Sequence, residues 1–176
     1  PDEDFARETG SSYVSLDELY RRSDIISLNC PLTKETEYMI NSETIGMMKR
    51  GVMLINTGRR KLIRSSDLIE GLKSGQVGSA GLDVYEEESR FFFEDLSDRV
   101  LADDVLARLL TFNNVIITSH QGFFTREAIH NIAETTLKNI DDFFAGRRLE
   151  NEVCFKCSSL PVGKKPVNEP CVSCSR

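Results

Sequence analysis

The sequence predicts a doubly wound α/β fold on a parallel sheet. Three features point there. Apolar runs recur at 25–28, 52–55, 80–84 and 115–118 without polar alternation, the pattern of strands buried on both faces. Segments with helical spacing separate them, giving the strand–helix–strand rhythm of parallel connections. Polar residues follow each run directly, where open α/β sheets place their ligands.

The elements follow in order. Ser15-Leu16-Asp17-Glu18 has the form of a capping box, and Leu16, Leu19 and Tyr20 give that helix its apolar face. Ile25-Ile26-Ser27-Leu28 is the first strand. Asn41 or Ser42 caps a helix carrying Ile45, Met47 and Met48. Val52-Met53-Leu54-Ile55 is the second strand. A helix opening at Ser66-Asp67-Leu68-Ile69-Glu70 closes near Gly75. Ala80-Gly81-Leu82-Asp83-Val84 and Val115-Ile116-Ile117-Thr118 are the third and fourth strands. Thr125 caps the longest helix, whose face is Ile129, Ile132, Ala133, Leu137, Ile140 and Phe144, with Gly146 as its stop. From about Asn151 the chain turns rich in Gly, Pro, Ser, Lys and Cys, which reads as a tail or a small module. The expected organisation is a sheet domain over 1–122, a long helix over 123–150 and a cysteine-containing tail over 151–176.

Composition bounds the function. The chain has 176 residues, 40% hydrophobic and 28% charged, with net charge −6. That suits a globular domain with its own core. No basic run argues for nucleic acid or an anionic membrane as partner. No apolar stretch has membrane-spanning length. The acidic start, Pro1-Asp2-Glu3-Asp4, lacks Met and the features of a signal peptide, so the chain is expected to begin inside a longer protein. Of five cysteines, only Cys30 lies in the body, which reads as cytoplasmic.

The strand ends carry the chemistry. They present Asn29-Cys30-Pro31, Asn56-Thr57-Gly58-Arg59, Asp83 with the acids after it, and Ser119-His120. A guanidinium grips a carboxylate through two parallel hydrogen bonds. An imidazole moves a proton near neutral pH. A carboxylate beside it orients the ring. This is a kit for a small anionic substrate.

Four segments then resemble one family in order and separation. Gly51-Val52-Met53-Leu54-Ile55 followed by Asn56-Thr57-Gly58-Arg59 is similar to the Asn-Thr-Ser-Arg-Gly segment of D-isomer-specific 2-hydroxyacid dehydrogenases. Asn29-Cys30-Pro31-Leu32-Thr33 resembles their His-Cys-Pro-Leu-Thr turn. Gly81 to Glu88, followed by Phe91-Phe92-Phe93-Glu94-Asp95, resembles the stretch that marks the D-lactate dehydrogenase subgroup. His120-Gln121-Gly122-Phe123-Phe124-Thr125 resembles the segment holding the catalytic histidine. The likeness runs from about Tyr13 to Glu152. It implies the C-terminal portion of an incomplete Rossmann-type NAD-binding domain, and a homodimer at full length.

The resemblance assigns roles by position. Arg59 would bind the carboxylate of a 2-oxo acid, His120 would donate a proton to its carbonyl oxygen, and Glu88 would pair with His120. Cys30, Pro31, Thr36, Thr57, Gly58 and Asp83 would line the NAD site. The implied reaction is hydride transfer between pyruvate and D-lactate. The alternatives are another acid (hydroxypyruvate, glyoxylate or phenylpyruvate), an NAD-sensing corepressor-like relative, or a zinc-tailed interaction module. His130 is expected to be structural, and Phe91-Phe92-Phe93 to pack rather than bind.

Three departures from the family pattern stand out. The chain contains no Gly-x-Gly-x-x-Gly turn, the backbone cradle for a pyrophosphate. Arg60 replaces the glycine that follows the family's arginine, and there it would either crowd the pocket or add a second cation that favours a larger dianionic acid. The tail holds Cys154, Cys157, Cys171 and Cys174 as two Cys-x-x-Cys pairs. The first expectation is no metal; the alternative is zinc on the four thiolates.

Overall fold

The computed structural model describes residues 2–87, 103–147, 149 and 151. The chain divides into two compact units, Pro1–Gly122 and Phe123–Arg176.

The first unit is an α/β sheet domain. Its helices are α1 (Glu3–Thr9), α2 (Leu16–Arg22), α3 (Ser42–Met47), α4 (Ser65–Ser74) and α5 (Asp104–Leu110). Its strands are β1 (Ile25–Leu28), β2 (Val52–Asn56), β3 (Val77–Leu82) and β4 (Val115–Ile117), with a 3₁₀ turn at Arg60–Leu62. The sheet order is β1-β2-β3-β4, and every neighbouring pair is parallel. Parallel neighbours in chain order need a crossover each time, and right-handed crossovers all fall on one side. Accordingly α2 packs on α3, α3 on α4, and α4 on α5, in a single row.

That row corrects the expectation of strands buried on both faces. Ile26, Leu28, Val52, Leu54, Val77, Ala80 and Leu82 are buried. The alternate residues Ile25, Met53 and Ile116 are exposed, Ile25 to 59% and Ile116 to 68%. The apolar runs hid a one-sided alternation, because β-branched and long apolar side chains occupy both faces while helices cover only one among the described residues.

Local chemistry sets the helix ends. The Asn41 side chain accepts from Glu43 N–H (3.0 Å) and Thr44 N–H (3.2 Å), and the Thr44 hydroxyl oxygen reciprocally accepts from Asn41 N–H (3.0 Å). Asn41, not Ser42, is therefore the cap. Ser15 accepts from Glu18 N–H, but the Glu18 carboxylate turns to Arg22, so only half of the expected capping box forms. Gly75 ends α4 at φ 71°, in the left-handed region that glycine adopts without strain. β3 begins at Val77, three residues before the expected start, and ends at Leu82, which frees Asp83 and Val84 for the rim. Helices α1 and α5 have no counterpart in the sequence reading. Each is one short stretch behind an Asp cap, Asp2 and Asp103, too brief for a periodic signal.

The second unit carries α6 (Arg126–Phe144). Thr125 accepts from Ala128 N–H (3.1 Å), and Gly146 follows the end at φ 66°. The side chains of its expected apolar face are exposed, Leu137 to 63%. His130 is also exposed and pairs with Glu134 at 3.2 Å on the next turn. Buried Asp142 accepts from Arg147 Nε at 2.6 Å near the helix end, and Lys138 lies 3.7 Å away. The Arg147 hydrogen bond, with help from Lys138, holds the Asp142 carboxyl below its usual range despite burial. Cys154, Cys157, Cys171 and Cys174 lie outside the described residues, as does the Phe91–Phe93 cluster.

Gly78 sits where the β2–β3 register shifts, between the pairs Val52↔Val77 and Met53↔Ser79. A Cβ there would fall 2.5 Å from the Gly51 carbonyl oxygen. Gly78→Ala should therefore cost about 1–3 kcal/mol, the usual penalty of an overpacked site. Urea unfolding of the two proteins measures it, and an unchanged midpoint would refute the close approach.

Candidate active site

Because all four strands run parallel, their carboxyl ends share one rim. The segments after β1, β2, β3 and β4 hold Asn29–Pro31, Thr57–Arg59, Asp83–Glu87 and Thr118–Gly122. The described candidate residues from β1 to His120 thus lie on one edge of the sheet unit. Glu88 lies outside the described residues.

The β2 end is built on Asn56, which is 1% exposed. Its carbonyl side-chain oxygen accepts from Gly58 N–H at 3.1 Å, and its amide donates to the Arg59 carbonyl at 3.1 Å. This folds the backbone into a tight turn and projects Arg59 outward from an extended residue (φ −134°, ψ 139°). The exposed Arg59 guanidinium rests against the Gly58 carbonyl, 3.0 Å away. Arg60 opens the 3₁₀ turn and is exposed. Its φ is negative, so the position places no demand for glycine.

The β4 end is strained. Ser119 and His120 both lie at positive φ, 54° and 57°. Such residues cost of order 1–3 kcal/mol each unless their surroundings hold them. Asp83 does the holding. Its backbone carbonyl accepts from His120 N–H at 2.5 Å. Its carboxylate accepts from the Thr118 hydroxyl (2.5 Å), Gln121 N–H (2.8 Å) and Gly122 N–H (3.2 Å). Partial burial opposes the charge on Asp83. The Thr118, Gln121 and Gly122 bonds and the nearby His120 together outweigh that, holding its carboxyl below the usual range. His120 itself is half-buried.

The two ends are joined. Asp83 N–H donates to the Asn56 carbonyl at 3.0 Å. A continuous path of hydrogen bonds thus runs from Arg59 through Asn56 and Asp83 to His120.

The acidic run after β3 is more than a solvated face. Glu86 accepts from the Tyr38 hydroxyl (2.6 Å) and from Ser65 N–H at the start of α4 (3.2 Å). Glu86 pushes the Tyr38 phenol up to about 12, first by that hydrogen bond. The Arg64 guanidinium lies over the Tyr38 ring, 4.8 Å from its centre. Tyr85 donates to Asp103 at 2.8 Å, joining the residues on either side of 88–102. Burial first, then Asp103, pushes the Tyr85 phenol up.

The family model for the D-isomer specific 2-hydroxyacid dehydrogenase NAD binding domain matches residues 1–122. The chain belongs to that family. It is 46% identical over 156 residues to 2-hydroxyacid dehydrogenase A of Aspergillus oryzae, covering 88% of this chain and 45% of the relative. It is 47% identical over 148 residues to the D-lactate dehydrogenase of Escherichia coli, covering 84% of this chain and 45% of the relative. The fold matches the D-lactate dehydrogenase of Aquifex aeolicus solved with NAD and lactic acid, at TM-score 0.71 and 40% identity, covering 83% of this chain and 44% of that one. The chain therefore spans less than half the length of these relatives.

Cys30 is half-buried with its thiol 3.6 Å from the Met39 sulfur, and Pro31 beside it is exposed. The exposed Thr57 hydroxyl faces Asn29 across 3.5 Å. A Cβ on Gly58 would fall 2.9 Å from the Leu28 carbonyl oxygen, so no side chain fits there. Thr36 turns inward: its hydroxyl donates to the Pro31 carbonyl (2.8 Å) and accepts from Thr33 N–H (2.8 Å), closing that loop. Among the described residues, no group of three or more His, Cys, Asp or Glu is arranged to hold a metal ion, and no helix is long and apolar enough to cross a membrane.

The sequence gives roles to Arg59 and His120; Asn56 and Glu86 stand in its motifs without a role, and Thr118 reads only as the end of a strand. The signal was present for Asn56: a polar residue closing an otherwise apolar strand must find partners when buried.

Asp83 holds its proton less tightly in the fold than in the unfolded chain, so its ionised form stabilises the fold at neutral pH. That contribution fades as pH falls through the depressed carboxyl range. Asp83→Asn should lower stability at pH 7 by roughly 1–3 kcal/mol, as expected when hydrogen bonds to a charged group weaken. The gap from wild type should narrow in acid. Thermal melts across pH measure both, and a gap that widens in acid would contradict the assignment.

Proposed function

We propose that this chain is the nicotinamide-handling part of an NAD-dependent D-2-hydroxyacid dehydrogenase, interconverting pyruvate and D-lactate. One observation carries the reading: Arg59 and His120 follow β2 and β4 on one rim, on either side of β3, and are joined by the hydrogen-bonded path through Asn56 and Asp83. The D-lactate dehydrogenase names among the relatives favour pyruvate as substrate.

Each group has a task. The Arg59 guanidinium binds the carboxylate of the 2-oxo acid with two parallel hydrogen bonds, which orients its carbonyl. The His120 imidazole gives a proton to the carbonyl oxygen during reduction and recovers it during oxidation. Bound NADH supplies the hydride. Cys30, Pro31, Thr57, Gly58 and Asp83 line the face where the nicotinamide rests. Thr36 acts by closing the loop that holds Pro31. Glu88, outside the described residues, is taken as the carboxylate that would orient the His120 ring. The same reading takes the full-length protein as a cytoplasmic homodimer with neither nucleic acid nor membrane as partner. It takes the 176-residue chain alone as inactive, because it contains no pyrophosphate-binding glycine turn.

Steady-state kinetics of the full-length enzyme with NADH and pyruvate test this. His120→Ala should lower kcat by about 10²–10⁴-fold, the usual worth of one acid–base group. Arg59→Ala should raise the KM for pyruvate and lower kcat. A near-normal kcat in His120→Ala would remove the proton-transfer role. Tight NADH binding without turnover would favour the sensor reading. Faster turnover of oxaloacetate than of pyruvate would favour a dianionic acid beside Arg60.

A further inference from the structure

We propose that Asn56 is a positioning residue for the substrate-binding arginine: its buried amide sets the backbone turn from which Arg59 reaches the 2-oxo acid. The inference rests on the role of Arg59 proposed above.

Asn56 closes β2, whose residues before it are all apolar. It is almost wholly buried, yet every buried side-chain nitrogen and oxygen among the described residues has a partner. Its two side-chain bonds run to consecutive residues of the turn, Gly58 N–H and the Arg59 carbonyl, both at 3.1 Å. The turn is also crowded from behind, because Gly58 packs against the Leu28 carbonyl and the Leu62 side chain. Clamped in front by Asn56 and blocked behind by β1, the peptide between Gly58 and Arg59 has one place to sit. The backbone carbonyl of Asn56 meanwhile takes Asp83 N–H at 3.0 Å, which refers the turn to the strand end that holds His120.

A shift of the Arg59 backbone would move the guanidinium away from the substrate carboxylate, while Cys30, Pro31 and Asp83, which the Asn56 side chain does not bond, keep their part of the nicotinamide face. That separates a positioning role from a merely structural one. Asn56→Asp keeps the acceptor for Gly58 N–H but sets a carboxylate against the Arg59 carbonyl. Asn56→Ser shortens the side chain without burying a charge.

The test uses the full-length enzyme with pyruvate, and NADH binding followed by fluorescence. Both variants should raise the KM for pyruvate by roughly tenfold, as misplacing one charge-assisted contact does. The NADH dissociation constant should stay within about twofold of wild type, a change too small to mark a lost contact. In an Arg59→Ala background, adding either change should move the KM by less than about twofold, since coupled residues fail to add. An undiminished effect in that background, a normal KM in both single variants, or loss of folding or NADH binding in both would overturn the proposal. A normal KM in Arg59→Ala alone would instead remove the arginine's own role, and the proposal with it.

Discussion

The parallel pairing of four strands in chain order is the constraint on which the site depends. Parallel register turns every carboxyl end to the same rim, and each following loop then starts within a strand spacing of its neighbours. Two backbone bonds carry that register past the sheet itself: Asp83 N–H to Asn56, and His120 N–H to Asp83. Without them the loops after β2, β3 and β4 would share an edge but not a geometry.

Strain and buried polarity concentrate at and beyond the carboxyl ends of the strands. Outside glycine, the described residues at positive φ are Tyr38, Ser119 and His120. All three sit in loops held by a carboxylate, Glu86 for Tyr38 and Asp83 for the other two. Asn56 is a fully buried polar side chain, and it serves the same rim. Such positions oppose the preferences of the core, so they persist only when neighbours over-determine them.

The fold was legible in the sequence to the extent that local chemistry decides it. Asn41, Gly75, Thr125 and Gly146 act at helix ends as their side chains or missing side chains dictate. The strand positions were legible because apolar runs bounded by polar residues have few other uses. The number of covered sheet faces was not. Ile25, Met53 and Ile116 look like core residues in the chain but are exposed, because coverage depends on where the crossovers pass. Glu86 was equally opaque: its partners Tyr38 and Ser65 lie 48 and 21 residues away.

By itself the sequence determined the strand–helix alternation, the residues placed after each strand, and membership of a dehydrogenase family through four motifs in register. Hydrophobic spacing, capping and turn chemistry act over a few residues and are written there directly. Only the tertiary structure decided how those strand ends are tied together. The Asn56 side chain bonds the turn only two and three residues ahead, but the bonds from Asp83 to Asn56 and from His120 to Asp83 exist because parallel register brings distant carbonyls and amides within 3.0 Å. Reactive groups can be recognised one residue at a time, whereas their mutual placement depends on contacts that no single segment contains.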